Sequence, residues 1–150
     1  MNVVLTGQDT LKINDTIMDE LANGENVALT FPNELFTVEK GKNGVALYAK
    51  NEQGSISEMT CRFKRGGAND KFMNNILNAA LNDFASFVLI TGEFIKRLGD
   101  GNGNITNDTY FLKGGMISKY PETKANADGD VEQAVSVYTI KFSEIKIIKG

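Results

Sequence analysis

The chain has 150 residues, with 19 acidic and 16 basic side chains for a net charge of −3, a single cysteine, and neither histidine nor tryptophan. Without histidine the usual general base and the commonest metal ligand are both missing, which excludes serine and cysteine triads built on it. The negative balance disfavours a groove that grips nucleic-acid phosphates, and one cysteine cannot make an internal disulfide framework, as expected of a protein assembled in a reducing cytoplasm.

A chain of this size is expected to form one domain, residues 1–150, whose core needs neither disulfide nor structural metal. Met1 to Thr10 has neither the basic start nor the long apolar run of a secretion signal, and no later stretch reaches membrane-spanning length, so the expectation is a soluble, intracellular product with no membrane partner. Val3, Val4 and Leu5 before Gly7 fit a strand or extended arm, and Asn14 with Asp15 predicts a tight hairpin. Val27 to Phe31 reads as a strand ended by Pro32, and Phe36 to Lys40 as another ended by Gly41. Asn43 and Gly44 suit a two-residue hairpin turn, with Val45 to Lys50 as the return strand and a further turn at Asn51 to Gly54.

The next stretch organises the rest. From Ser57 to Arg65, Met59, Cys61 and Phe63 alternate with Glu58, Thr60, Arg62 and Lys64, the pattern of a strand with one dry face. Cys61 lies on that dry face and is expected to be inert. Gly66 and Gly67 end the strand, and Asn69 or Asp70 can cap a helix over about Asp70 to Asp83, with Phe72, Met73, Ile76, Leu77, Ala80, Leu81 and Phe84 at helical spacing. Phe87 to Ile90 then forms an unalternated apolar run, read as a strand covered on both faces by, among others, that helix. Gly99 to Asp108 is too polar to bury. Thr109 to Leu112 and Met116 to Tyr120 flank Gly114 and Gly115, giving paired strands or one bulged strand. Pro121 to Glu132 is an acidic loop, Ala134 to Phe142 a strong strand, and Ile145 to Ile148 a short apolar end. No repeat, low-complexity segment or linker is visible.

Signals of chemistry are weak. Asp100, Asn102, Asn104 and Asp108 suggest a calcium loop, but its sixth position is Ile105 and its twelfth Phe111, where glycine and glutamate are required. Asp128, Gly129, Asp130 and Glu132 lack a closing ligand, so both stretches read as solvated turns. Gly66 and Gly67 before a helix lack the remainder of a phosphate-binding loop. Glu58 and Glu93 would be a carboxylate pair only if their strands were neighbours. The expectation is no enzyme, no catalytic residue, no metal and no cofactor. What does need explaining is a chain of many strands with one helix, a projecting hairpin and unpaired sheet edges, which invite pairing with another copy. Small or hydroxyl side chains at Thr91, Gly92, Ser136 and Thr139, where a monomeric core would favour bulk, point the same way.

From about Gly41 to Phe142 the order of elements resembles the tail tube protein, or major tail protein, of long-tailed bacteriophages and prophages. The segments that carry the likeness are Lys71-Phe-Met-Asn-Asn-Ile-Leu-Asn78, Ser86-Phe-Val-Leu-Ile-Thr-Gly-Glu-Phe94, Asp108-Thr-Tyr-Phe-Leu-Lys-Gly-Gly-Met116 and Glu132-Gln-Ala-Val-Ser-Val-Tyr-Thr-Ile-Lys-Phe142. The resemblance implies a mainly β fold, an antiparallel sandwich or partial barrel with one flanking helix, in a virion protein assembled in the host bacterial cytoplasm. It implies rings of six that stack into a hollow tube through which DNA passes unbound during ejection. The further partners it implies are tape-measure, baseplate or tail-tip and terminator proteins, with a sheath if the tail contracts. Closing a sheet around a ring removes its edges, and head-to-tail stacking repeats without closing. An acidic chain would suit a lumen that repels phosphate over about 8 to 10 Å. Candidate lumen residues are Thr91, Glu93, Ser136 and Thr139. The hairpin from Lys40 to Ser55, with Lys42, Asn43 and Gly44 at its tip, is the candidate arm to the next ring, and an ordinary surface hairpin is its alternative. The alternative functions are another ring-forming tail component such as a terminator, a secretion-system tube protein, or a calcium- or sugar-binding β-sandwich module.

Overall fold

The structure is a computed structural model, and it describes residues 2–22, 26–123 and 134–150. The turn acids Asp128, Asp130 and Glu132 lie outside the described residues. In chain order the elements are β1 (Val4–Leu5), β2 (Thr10–Ile13), β3 (Thr16–Ile17), β4 (Val27–Thr30), β5 (Phe36–Lys40), β6 (Ala46–Lys50), β7 (Ser57–Lys64), α1 (Ala68–Asn82), β8 (Ile90–Gly99), β9 (Ile105–Ile117) and β10 (Val135–Lys149). Every pairing is antiparallel. One sheet runs β3-β2-β8-β9-β10-β7-β4 with β1 added beside β8, and β5-β6 stands apart as a two-stranded sheet. Among the described residues the result is the expected mainly β, sandwich-like partial barrel with one flanking helix, open at β3 and β4.

The alternation read in β7 is borne out. Met59, Cys61 and Phe63 are fully buried, and they pair across to β10 at Ile140, Tyr138 and Ser136. Met73 and Leu77 of α1 close over this face, joined in the core by Leu11, Ile13, Ile90, Leu112, Ile117 and Phe142. Burial pushes the Cys61 thiol up to about 12, so it stays protonated and unreactive. Helix α1 begins two residues earlier than expected, after Gly67. The carboxylate of Asp70 reaches back to accept the Gly66 N–H at 2.8 Å. Asn69 does not cap the helix; buried, with its amide oxygen turned toward the preceding chain, it accepts the N–H groups of Asp19 (2.9 Å) and Glu20 (2.7 Å).

Three expectations are corrected. Phe87 to Leu89 is not strand: a 3-10 turn at Phe84–Ser86 leads into irregular chain, Val88 is 82% exposed, and β8 starts only at Ile90. The apolar run continues past the edge of the core, so composition alone mimics a buried strand. The polar stretch after Gly99 is loop only as far as Asn104, because Ile105 to Asp108 pair with β8 out to Gly99 and keep their backbone bonds in the ladder. Likewise the C-terminal piece is no separate element, since β10 runs unbroken to Lys149 alongside β9.

The bulge is present. Between Ile90/Gly115 and Gly92/Leu112 strand β9 spends one extra residue, and Gly114 takes φ +66°, a conformation an L side chain resists. In β10 the buried side switches at the same level, from Phe142 to Ile145, so β9 and β10 bend together.

Candidate assembly surfaces

Of the four proposed lumen residues, the structure places three on one face and one on the other. Thr91 and Glu93 lie between core residues Ile90 and Gly92 and beyond them, and so point away from α1; Thr139 alternates with buried Tyr138 and Ile140 and points the same way. Ser136 does not share that face. It is buried on the helix side, opposite Phe63, and its hydroxyl bonds to Asp70. A period of two puts residues 136 and 139 on opposite faces of any continuous strand.

Nor does the small size of Gly92 signal an unfilled site. A Cβ there would meet the Phe142 ring at 3.1 Å, and one on Gly115 would meet it at 2.5 Å. The two glycines form the trough in which Phe142 packs.

The face away from α1 is long and carries alternating charge. Cross-strand neighbours there include Lys12 with Glu93, Glu58 with Lys141, and Lys113 with Glu144. The acidity of the chain is therefore not concentrated on it. Glu58 and Glu93 are separated by β9 and β10, three strand spacings or roughly 14 Å, too far for a glycosidase pair. Among the described residues no cluster of three or more metal-ligating side chains occurs. The Asp100 carboxylate is bound within its own turn by the Asn102 N–H (2.7 Å), the Asn104 N–H (3.2 Å) and the Asn104 amide (2.7 Å). No helix among the described residues is long and apolar enough to cross a membrane.

The hairpin stands off the main sheet. Its turn differs from the one expected: Gly41 and Val45 close a loop of Lys42, Asn43 and Gly44, the Gly44 N–H donates to Gly41 (3.0 Å), and only Gly44 takes positive φ, +79°. A three-residue loop closed by a left-handed glycine is the next commonest hairpin connection after the two-residue turn. The base is pinned by Asn51, whose amide donates to the Glu34 carbonyl at 2.8 Å, and by Asn33, which donates to the Gln53 carbonyl at 3.1 Å. Gly54 is packed so closely on Leu35 that a Cβ would meet its Cα at 2.8 Å.

Between base and tip the arm is uncovered. Val38 faces Tyr48 across the ladder and Phe36 is two residues away on the same side; they are 61%, 74% and 67% exposed. Lys40 and Lys50 flank them on that side, while Glu39 and Leu47 occupy the other. A second uncovered apolar surface follows α1: Leu81, Phe84, Val88 and Leu89. The sequence reading missed both faces. The first was legible in the alternation Phe36-Thr37-Val38, and the second was hidden by the strand assigned to Phe87 through Ile90.

No family model matches the sequence, and no curated protein matches it significantly. Solved structures do share the fold. The tube-terminating cap of the anti-feeding prophage aligns over 98% of this chain and 91% of its own, with TM-score 0.67 at 11% identity. A chain of the sheath-tube complex of the extracellular contractile injection system PVC, in its extended state, aligns over 98% and 92%, with TM-score 0.63 at 8% identity. A chain of the sheath/tube terminator of the same system aligns over 93% and 92%, with TM-score 0.59 at 10% identity. The fold is thus shared with chains of a tube-terminating cap, a sheath-tube complex and a sheath/tube terminator.

Proposed function

We propose that this chain is a structural, non-enzymatic subunit of a tail tube, and that copies join laterally into rings of six which stack into a hollow conduit. The observation that carries the reading is a sheet open, among the described residues, at β3 and β4, with an uncovered apolar arm, in a chain aligned almost end to end with a tube-terminating cap and a chain of a sheath-tube complex. Unpaired edges left exposed on a monomer are an aggregation hazard, and a ring removes them. In this arrangement the face bearing Thr91, Glu93 and Thr139 lines the lumen, and its alternating charge lets DNA pass without a basic track to hold it. Lys42, Asn43 and Gly44 carry the arm toward the next ring. Tape-measure, tail-tip and terminator proteins are the remaining partners, with a sheath if the particle contracts, as in the named injection system. The particle is a virion tail assembled in a bacterial cytoplasm.

Sedimentation velocity and electron microscopy across concentration test this. Rings and extending tubes are expected. A monomer persisting at millimolar concentration overturns it.

A second reading has its own support, because two of the structures sharing the fold are a cap and a terminator. A terminator forms single rings that do not stack, which the same micrographs distinguish.

A further inference from the structure

We propose that the apolar face of the β5–β6 arm docks on the surface at the C-terminal end of α1 in a second copy of this chain. This deepens the stacked-ring reading and rests on it, by naming the surface that receives the arm.

Both surfaces are apolar and largely exposed among the described residues, with Phe84 resting edge-on against Phe87. The arm offers Phe36, Val38 and Tyr48, and the helix end offers Leu81, Phe84 and Val88, the last 82% exposed. Their charges are opposite. Lys40 and Lys50 border the apolar residues of the arm on the same side of its ladder, with Glu39 turned to the other side. Across residues 72–90 the only charged side chain is Asp83. The last turn of α1 holds no basic residue, so the negative end of the helix dipole, roughly half an elementary charge, adds to Asp83 instead of being offset. A lysine-edged apolar strip therefore meets an apolar patch edged by negative charge.

Arm-to-arm pairing is the competing arrangement. It would bring Lys40 and Lys50 of two copies together, and an isologous contact closes at a dimer. Arm to helix end is heterologous, so it propagates. Each contact involves only a few side chains, so one copy binds another weakly; a ring presenting several arms at once gains affinity through multivalency. Growth then proceeds ring by ring.

Cysteine pairing tests the contact, since Cys61 is buried and is the chain's only native thiol. Val38→Cys copies mixed with Val88→Cys copies should give a disulfide-linked heterodimer under oxidising conditions, and a chain carrying both should give a ladder of covalent oligomers. Separately, Lys40→Glu with Lys50→Glu should raise the concentration needed for tube growth at least about tenfold. Asn82→Lys, which leaves the Asp83 turn intact, should restore growth of that reversed arm. Thermal melts of each variant confirm folding. If native protein forms tubes but Val38→Cys crosslinks only to itself, or no arm-to-helix crosslink appears, the docking is wrong and the tube-subunit reading stands. If native protein never assembles, both fall.

Discussion

The phenolic hydroxyl of Tyr138 donates a 2.7 Å hydrogen bond to the carboxylate of Asp70, tying β10 to the first turn of α1. Asp70 also accepts the Gly66 N–H, so one carboxylate fixes where β7 ends, where the helix begins and how the helix lies on the sheet. Partial burial pushes this carboxyl up, but the hydrogen bonds from Gly66, Tyr138 and Ser136, with the charge of Arg65, outweigh it and hold it below its usual 3.8. Burial and the same carboxylate push the Tyr138 hydroxyl well above its ordinary value, so it remains a donor.

Removing that donor should loosen the helix without disturbing the ladder. Tyr138→Phe keeps the buried ring against Phe63, 6.0 Å between centroids, and loses only the bond. A hydrogen bond to a charged group is worth about 1.5 to 3 kcal/mol, which lowers the melting temperature by about 3 to 12 °C in a domain of this size. A change under 1 °C would mean the bond contributes nothing net.

Acid should have the same target. Because the folded carboxyl of Asp70 is depressed, the folded state holds its proton less tightly than the unfolded chain does. Its contribution is full above the unfolded value near 3.8 and disappears as pH falls through the lower folded value. The stability gap between native protein and Asp70→Asn, measured by denaturant titration, should therefore be constant from pH 7 to 5 and shrink below about pH 4. A gap that widens on acidification would contradict the assignment.

Gly114 is the glycine of the sheet whose backbone conformation an L side chain resists, with φ +66°. Gly114→Ala forces a Cβ into positive φ and against the Ser143 hydroxyl, and the conformational part alone costs about 1 to 2 kcal/mol. Ser143→Ala removes the clash and leaves the backbone term, so the double variant should recover only part of the lost stability. Chemical denaturation of the four proteins separates the two terms; full recovery would show that the left-handed backbone costs little here.

How much of this was legible depended on whether local pattern and tertiary context agreed. In β7 they do, since a period of two over eight residues can satisfy only one register against a core, and Met59, Cys61 and Phe63 declared it. The helix was equally plain. The Asn14-Asp15 turn was found because both residues take positive φ, 51° and 63°. Phe87 to Leu89 failed because apolar composition does not say whether cover comes from the same chain, and Val88 has none. Ser136 was misplaced because hydroxyls suit a wet face and a capped helix equally well; only its parity with Tyr138 decides. Gly92 was misread because a glycine's purpose can be another residue's ring, and Phe142 lies 50 positions away. The charge of the free sheet face was invisible for a similar reason: it is set by which strands become neighbours.

Cys61 should be silent toward thiol reagents in the native protein. It is fully buried, and its pKa of about 12 leaves almost no thiolate at neutral pH. Labelling with an aromatic disulfide reagent should be negligible in buffer and stoichiometric in denaturant. Rapid native labelling would mean that α1 or β4 opens readily, since both lie beside β7.

Shortening the arm should separate folding from assembly. The ladder of β5 and β6 belongs to a sheet of its own; the hydrogen bonds of Asn33 and Asn51 and the packing of Gly54 on Leu35 close its base, and the Ser55 hydroxyl, donating to the Ser143 carbonyl at 2.9 Å, ties that base to β10. Deleting Lys42 to Gly44 removes the turn that the left-handed Gly44 completes, so the apolar strip of Phe36, Val38 and Tyr48 loses its shape while the eight-stranded sheet and its core are untouched. Substitutions at such uncovered sites ordinarily change stability by less than about 0.5 kcal/mol. The melting temperature should therefore stay within about 2 °C of the native value, while tubes disappear from micrographs taken at concentrations where the native protein forms them. Tubes of normal length from the deleted protein would remove the arm from the stacking contact and leave lateral ring closure, through the edges at β3 and β4, as the only role for this fold's unpaired surfaces.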